Sequence, residues 1–218
     1  MKKERYFTPE SIDEKAGQMD QDVAGLRKRH PVSLSYDRAA LLVLDMQRYF
    51  LEEGSHAFIP SAPAIVPNIQ KLLEISSAKR IPVIFTRHTN TETDAGMMAR
   101  WWQDLIRPEN GVSDIIGQLD PSVGTVIEKH QYDAFHQTDL ERILHERGVS
   151  QVIICGVMTH LCCESTARAA FVRGFEVFLA IDGTASYLEP FHRATLWNAV
   201  HGFAVPMLTR DLIDKLGG

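Results

Sequence analysis

Ala39–Met46 reads AALLVLDM, and this stretch decides the fold. Six apolar residues run unbroken into Asp45. A strand with one wet face alternates apolar and polar residues, whereas a strand covered on both faces is apolar throughout. Similar runs recur at Ile81–Thr86 (IPVIFT), Val123–Ile127, Val152–Val157 (VIICGV) and Glu176–Ile181 (EVFLAI). A sixth, Ala204–Leu208 (AVPML), carries Pro206, which cannot donate to a ladder and so points to a sheet edge. Between the runs the spacing turns helical. Over Ala64–Ser77, Ile65, Ile69, Leu72 and Leu73 share one stripe, with Ile75 at its edge. Asp139–Arg147, Leu161–Arg173 and Arg193–His201 are helical as well, and Gly148 and Gly174 fall where C-caps are needed. This alternation predicts an α/β fold, a three-layer α/β/α arrangement around a six-stranded, mostly parallel sheet.

The chain of 218 residues suits one such domain, spanning 38–218. Residues 1–37 are polar and weakly periodic, and predict an N-terminal arm with a short helix around Ser11–Arg29. The arm packs on its own domain or on a neighbouring subunit. A net charge of −5 gives no electrostatic reason to bind nucleic acid or an anionic membrane. No apolar run approaches the ~20 residues of a membrane span. No apolar segment follows Lys2, Lys3 and Arg5, so a signal peptide is not expected. The three cysteines, Cys155, Cys162 and Cys163, are odd in number and tightly clustered, which argues against a disulfide framework and for the reducing cytoplasm.

In parallel sheets ligands bind beyond the carboxyl ends of the strands. The residues there are Asp45 and Gln47, Arg87 and His88, Lys129 and His130, Met158–Cys163, and Asp182. Asp45 at the mouth of an apolar strand is partly desolvated, which raises a carboxyl pKa and suits it to proton transfer; the plain alternative is a cap. Lys129 alone reads as a snorkelling surface lysine. At a strand end it can face Asp45 across the sheet. Cys162 lies where a helix opens, in CGVMTHLCCESTARAA (Cys155–Ala170). The helix dipole there favours thiolate, and free N–H groups can bind an oxyanion; the alternative is a buried structural thiol. His160 is placed at the pocket wall or on a backbone partner. No metal or nucleotide motif is present, so no cofactor and no metal are expected.

Three segments, ALLVLDMQRYF (Ala40–Phe50), EKHQYDAF (Glu128–Phe135) and CGVMTHLCCESTARAA, resemble in order and spacing the signature blocks of the isochorismatase-like hydrolases. The resemblance covers roughly 38–212 and implies a Rossmann-like fold. It implies that Cys162 is the nucleophile, that Asp45 accepts and returns its proton, and that Lys129 holds both. It further implies a cis Val157–Met158 peptide aiming the N–H groups of Met158 and Cys162 at an oxyanion. The implied reaction is acyl transfer from a small amide or ureide through a thioester. Phe50, Trp102, Tyr132 and His160, with Gln47 and His88, are the substrate-binding residues expected. A homo-oligomer, dimer or larger, is implied by resemblance alone, and Ala99–Trp102 reads equally as a lid, a subunit contact or plain packing.

Departures from the family pattern carry information. True isochorismatases have Gly in place of Cys162 and hydrolyse a vinyl ether with the Asp as general acid. The cysteine therefore favours C–N hydrolysis. A Tyr expected at position 158 is Met158, and a pocket Gln is His88. The Asp-x-His metal pattern of nicotinamidases is missing from Asp45–Phe58, which argues against a catalytic metal and against nicotinamide. Two rival readings stay open: an isochorismatase-type hydrolase with an incidental Cys162, and an idle binding module, whose thiol would titrate near the ordinary ~8.5.

Overall fold

The computed structural model describes residues 2–27, 32–102, 104–109 and 111–217; positions 1, 28–31, 103, 110 and 218, including the end of the helix expected around Ser11–Arg29, lie outside the described residues. The sheet has six strands: β1 (Ala39–Leu44), β2 (Val83–His88), β3 (Thr125–Lys129), β4 (Gln151–Val157), β5 (Glu176–Ala185) and β6 (Val205–Met207). Their order is β3-β2-β1-β4-β5-β6, and every pairing is parallel. Every residue of β1 is buried, as its unbroken apolar run requires. The sheet is covered by α1 (Ile12–Arg27), α3 (Ala62–Lys79), α5 (Leu140–Glu146), α6 (Glu164–Val172), α7 (Glu189–Gly202) and α8 (Thr209–Gly217). Two single-turn helices, α2 (Arg48–Leu51) and α4 (Met98–Trp101), lie in the loops after β1 and β2.

The expected edge position of the Pro206 strand is observed, and Gly148 and Gly174 have φ of 67° and 88° just past α5 and α6. The sheet differs from expectation at β5. It runs four residues further, to Ala185, through an irregularity in its pairing with β4 between Ile154 and Gly156. Asp182 therefore lies inside a strand. There its Oδ1 accepts from the Thr209 N–H (2.7 Å) at the start of α8, and its Oδ2 from Asn68 (3.2 Å). Burial raises its pKa, and it does not line the cavity described below.

The N-terminal arm packs on its own domain. Ile12, Ala16, Met19 and Val23 form the buried stripe of α1, which rests on α7 and β5. Tyr6 and Phe7 are buried in the same core. Both backbone N–H groups bond to Ser61 Oγ, and the Tyr6 hydroxyl meets His192 Nδ1 at 3.0 Å.

The strand order reverses between β1 and β4, where an open α/β sheet forms a crevice. Gly156 permits the close approach there. Its φ is +109°, and a Cβ would meet the Leu44 carbonyl oxygen at 2.0 Å. This contact sets the loop after β1 beside the turn after β4.

Candidate active site

Asp45, Lys129 and Cys162 converge at that crevice from the ends of β1, β3 and β4. Asp45 and Lys129 have no exposed side-chain surface, and Cys162 is 5% exposed. Asp45 has φ +51°, an uncommon conformation for a residue other than glycine, of the kind that concentrates at functional sites. Its Oδ1 accepts from the Thr86 hydroxyl (2.6 Å), and its Oδ2 lies 2.8 Å from Lys129 Nζ. Lys129 also reaches the Gln131 carbonyl (2.9 Å), His88 Nδ1 (3.2 Å) and Cys162 Sγ (3.4 Å). The register sets His88 beside Lys129 on adjacent strands. Cys162 sits in a π-turn, Thr159–Cys163, that opens α6. The peptide Val157–Met158 before it is cis, and the Met158 carbonyl accepts the N–H groups of Leu161 and Cys163.

The ionisation states follow from burial and the Lys129 cation. Burial alone would push the Asp45 carboxyl up, but the Lys129 ammonium holds it below its ordinary value. This corrects the expectation of a raised Asp45. Burial opposes the charge on Lys129 too, and Asp45 and Cys162 outweigh it, raising the pKa. The Cys162 thiol is pushed up to about 12 by burial and by the Asp45 charge, against the pull of Lys129. The expected helix-dipole depression loses to desolvation. Burial and the Lys129 charge lower His88 to about 4, so it is neutral. Its Nδ1 can accept from Lys129 while Nε2–H donates to Asn90 Oδ1 (2.7 Å).

A cavity of about 400 Å³ opens onto Cys162, within the size range of small-molecule sites. Phe50, His88, Trp102, Tyr132 and Met158 line it. Trp102 donates from Nε1 to the Tyr132 hydroxyl (2.7 Å), and Trp101 beside it is 75% exposed, so α4 forms part of the wall. A more open groove of about 620 Å³ beside α6 and α7 holds none of these groups.

Two expected substrate contacts lie elsewhere. Gln47 is fully buried; its side chain donates to the His88 and Ser113 carbonyls and accepts from the His88 N–H, so it fixes loops behind the site. His160 turns from the cavity to Ser186 Oγ (2.6 Å) and stacks on Phe191. Arg87 pairs with Glu128 on the outer strands, and His130 Nδ1 meets the Thr89 carbonyl. The sequence reading missed Lys3, Tyr49, His56 and Tyr187, which also line the cavity. Tyr49 was discoverable as the neighbour of Phe50; Lys3 carried no signal.

Asp45, His88 and Cys162 offer ligand-type atoms within 4.8 Å of one another, the one such triplet among the described residues. Lys129 Nζ is already within 3.4 Å of all three side chains. A zinc ion needs ligands at about 2.0–2.3 Å and deprotonated sulfur, so the ammonium takes the place a metal would fill. These residues do not fit a metal.

A thiol on a helix-opening turn, with a buried carboxylate and ammonium beyond a parallel sheet, defines an α/β cysteine hydrolase. Comparison with known proteins makes this specific. Residues 39–211 match the family model described as Isochorismatase domain, and the chain belongs to the isochorismatase-like hydrolase family. It is 42% identical over 183 residues to Nicotinamidase 3 of Arabidopsis thaliana, covering 82% of this chain and 87% of that one. It is 32% identical over 181 residues to Enterobactin synthase component B of Escherichia coli (strain K12), covering 81% of this chain but 62% of the relative. Among solved structures, a cysteine hydrolase from Pseudomonas syringae pv. phaseolicola superposes with a TM-score of 0.81 at 28% identity, over 84% of this chain and 94% of that one.

Proposed function

We propose that the protein hydrolyses the C–N bond of a small amide or ureide through a thioester on Cys162. One observation carries the reading. Asp45 Oδ2 is buried 2.8 Å from the Lys129 ammonium, and the Cys162 thiol is within hydrogen-bonding reach of the same carboxylate. An acceptor in that state is poised to take the thiol proton.

With the thiol pushed up to about 12, free thiolate at pH 7 amounts to roughly one molecule in 10⁵. The nucleophile therefore forms as attack begins. The proton passes from Sγ to Asp45, and the new thiolate is balanced by Lys129. Sulfur adds to the carbonyl, and the oxyanion is received by the N–H groups of Met158 and Cys162. Asp45 returns the proton to the leaving nitrogen, the C–N bond breaks, and the acyl group stays on sulfur. Asp45 then takes a proton from water, which hydrolyses the thioester and frees the thiol.

The depressed Asp45 also bears on the vinyl-ether alternative. There the same carboxyl would have to arrive protonated, whereas on the thioester route the depressed Asp45 receives its proton from Cys162. The idle-module alternative can no longer be judged from a thiol pKa, because burial raises it in an active or an idle site alike.

Nicotinamide returns as a candidate substrate through the name of the 42% identical plant relative. Among the described residues the one candidate triplet, Asp45, His88 and Cys162, is occupied by the Lys129 ammonium, and nicotinamide is therefore tested beside other small amides with and without added metal. The chain's three thiols are free and suit a reducing compartment. Homo-oligomerisation is part of the proposal by family resemblance, and light scattering measures it directly. The test of function is intact-mass analysis after incubation with nicotinamide, other small amides and ureides. An acyl adduct that maps to Cys162 and is absent in Cys162→Ala supports the reading; no adduct and no ammonia from any of them contradicts it.

A further inference from the structure

We propose that Lys3, carried in by the N-terminal arm, is a specificity-determining residue that receives a second, anionic group of the substrate, a carboxylate. The inference rests on reading the cavity as the substrate site. It deepens that reading by naming a substrate class: amides or ureides that also bear a carboxylate.

Lys3 lines the same cavity as Cys162, although the residues are 159 positions apart. Its segment is firmly seated. The Glu4 N–H bonds to the Tyr187 carbonyl (2.8 Å), Ser61 Oγ donates to the Glu4 carbonyl and accepts from Tyr6 and Phe7, and both aromatic rings are buried. The ammonium lies 4.3 Å from the centre of the Tyr187 ring and donates to the carbonyls of His56 and Phe58 (2.8 Å to Phe58). The cation is thus ordered before any ligand arrives, which removes much of the entropic cost of using it.

An ammonium has three donors, and two are occupied. Beyond these two carbonyls and the face of the Tyr187 ring, the described residues give the ammonium no partner, and none of their carboxylates lies within ion-pairing distance of Lys3. Burial lowers its pKa, as for a cation without a counter-charge. Asp104 is the acidic residue of the wall. It is exposed, and its Oδ1 is taken by the Leu105 N–H. The rest of the wall is largely aromatic and apolar, where an ionic contact is screened less than in water. A half-satisfied cation in such a wall selects an anion.

A purely structural Lys3, pinning the arm, is separated from this role by substrate pairs. The full-length wild type and Lys3→Met are compared on N-carbamoylglycine against N-carbamoylglycinamide, and on 3-carbamoylbenzoate against benzamide. The wild type should prefer the carboxylate of each pair. Lys3→Met should lose that preference by roughly 10- to 100-fold, in KM rather than kcat, with any loss on the neutral partners smaller than on the carboxylates. Equal losses on both partners, or none, overturn the proposal. If no compound is turned over, so that the hydrolase reading itself fails, calorimetric binding of the two carboxylates decides. Binding that is lost in Lys3→Met supports the role of Lys3, and equal or absent binding overturns it. Should Lys3→Met not fold, wild-type KM decides: a rise with ionic strength for the carboxylates alone supports the proposal, and equal salt responses overturn it.

Discussion

Replacing Lys129 with Met removes the cation that lies 2.8 Å from the Asp45 carboxylate, which has no contact with water. In the wild type, Asp45 is depressed, so its stabilising contribution is present above the unfolded value of about 3.9 and is lost only as pH falls through the lower folded value. Lys129 is raised, so its contribution is present below about 10.4 and is lost only at more alkaline pH. The pair therefore adds no pH dependence between about pH 5 and 8. In Lys129→Met, burial outweighs the remaining hydrogen bonds to Asp45 from Thr86 and Cys162, and the cluster of Asp45 and His88 takes up one proton on folding. That reverses the sign: the variant is most stable in acid and loses stability as pH rises through the raised folded value. One proton corresponds to about 1.4 kcal/mol per pH unit, and breaking a buried pair typically costs about 3–5 kcal/mol at neutral pH. Urea denaturation of both proteins from pH 5 to 8 measures this. The expected result is a stability gap of several kcal/mol at pH 8 that narrows by about 1.4 kcal/mol per unit toward acid over part of the range. A gap below about 1 kcal/mol, or one independent of pH, refutes the assignment of Lys129 as the counter-charge of Asp45.

Other outcomes follow from single contacts. Gly156→Ala sets a Cβ 2.0 Å from the Leu44 carbonyl oxygen at a φ of +109°, and should yield no natively folded protein by circular dichroism. Asp182→Ala removes the acceptor of the Thr209 N–H and should cost about 1–3 kcal/mol in denaturant titration while leaving acylation of Cys162 intact. With His88 at about 4 and Cys162 at about 12, kcat/KM should be level from about pH 5 to 9. Above its pKa His88 is neutral and can accept from Lys129, so the acid limb belongs near or below pH 5. A limb near 6.5 contradicts a neutral His88.

The fold was readable because its strands are buried on both faces. A run such as Ala39–Leu44 has no polar alternate positions to confuse it with an amphipathic helix. Gly148, Gly174 and Pro206 marked two helix ends and an edge through backbone chemistry that is local. Asp45, Lys129 and Cys162 were legible for a related reason: each closes or follows a strand, and strand ends converge in a parallel sheet. What depends on three-dimensional surroundings was not legible. The thiol looked acidic from its helix turn, yet burial beside a carboxylate raises it. Gln47 follows Asp45 by two positions and seemed to share its pocket, but its amide closes loops through His88 and Ser113. His160 is drawn away by Ser186, 26 positions on. Asp182 marked the end of a strand that the chain in fact continues to Ala185. Lys3 reaches the cavity through contacts with Ser61 and Tyr187, which no local pattern encodes.

The central claim is that Asp45 removes the Cys162 proton as attack begins. Rapid-quench mass spectrometry of the acylation step, comparing the wild type with Asp45→Asn on one turned-over amide, tests it directly. The account predicts a fast burst of acyl-Cys162 in the wild type and a rate lower by at least about 10²-fold in Asp45→Asn, with the fold retained. Acylation of Asp45→Asn at the wild-type rate, or an adduct on any residue other than Cys162, contradicts it.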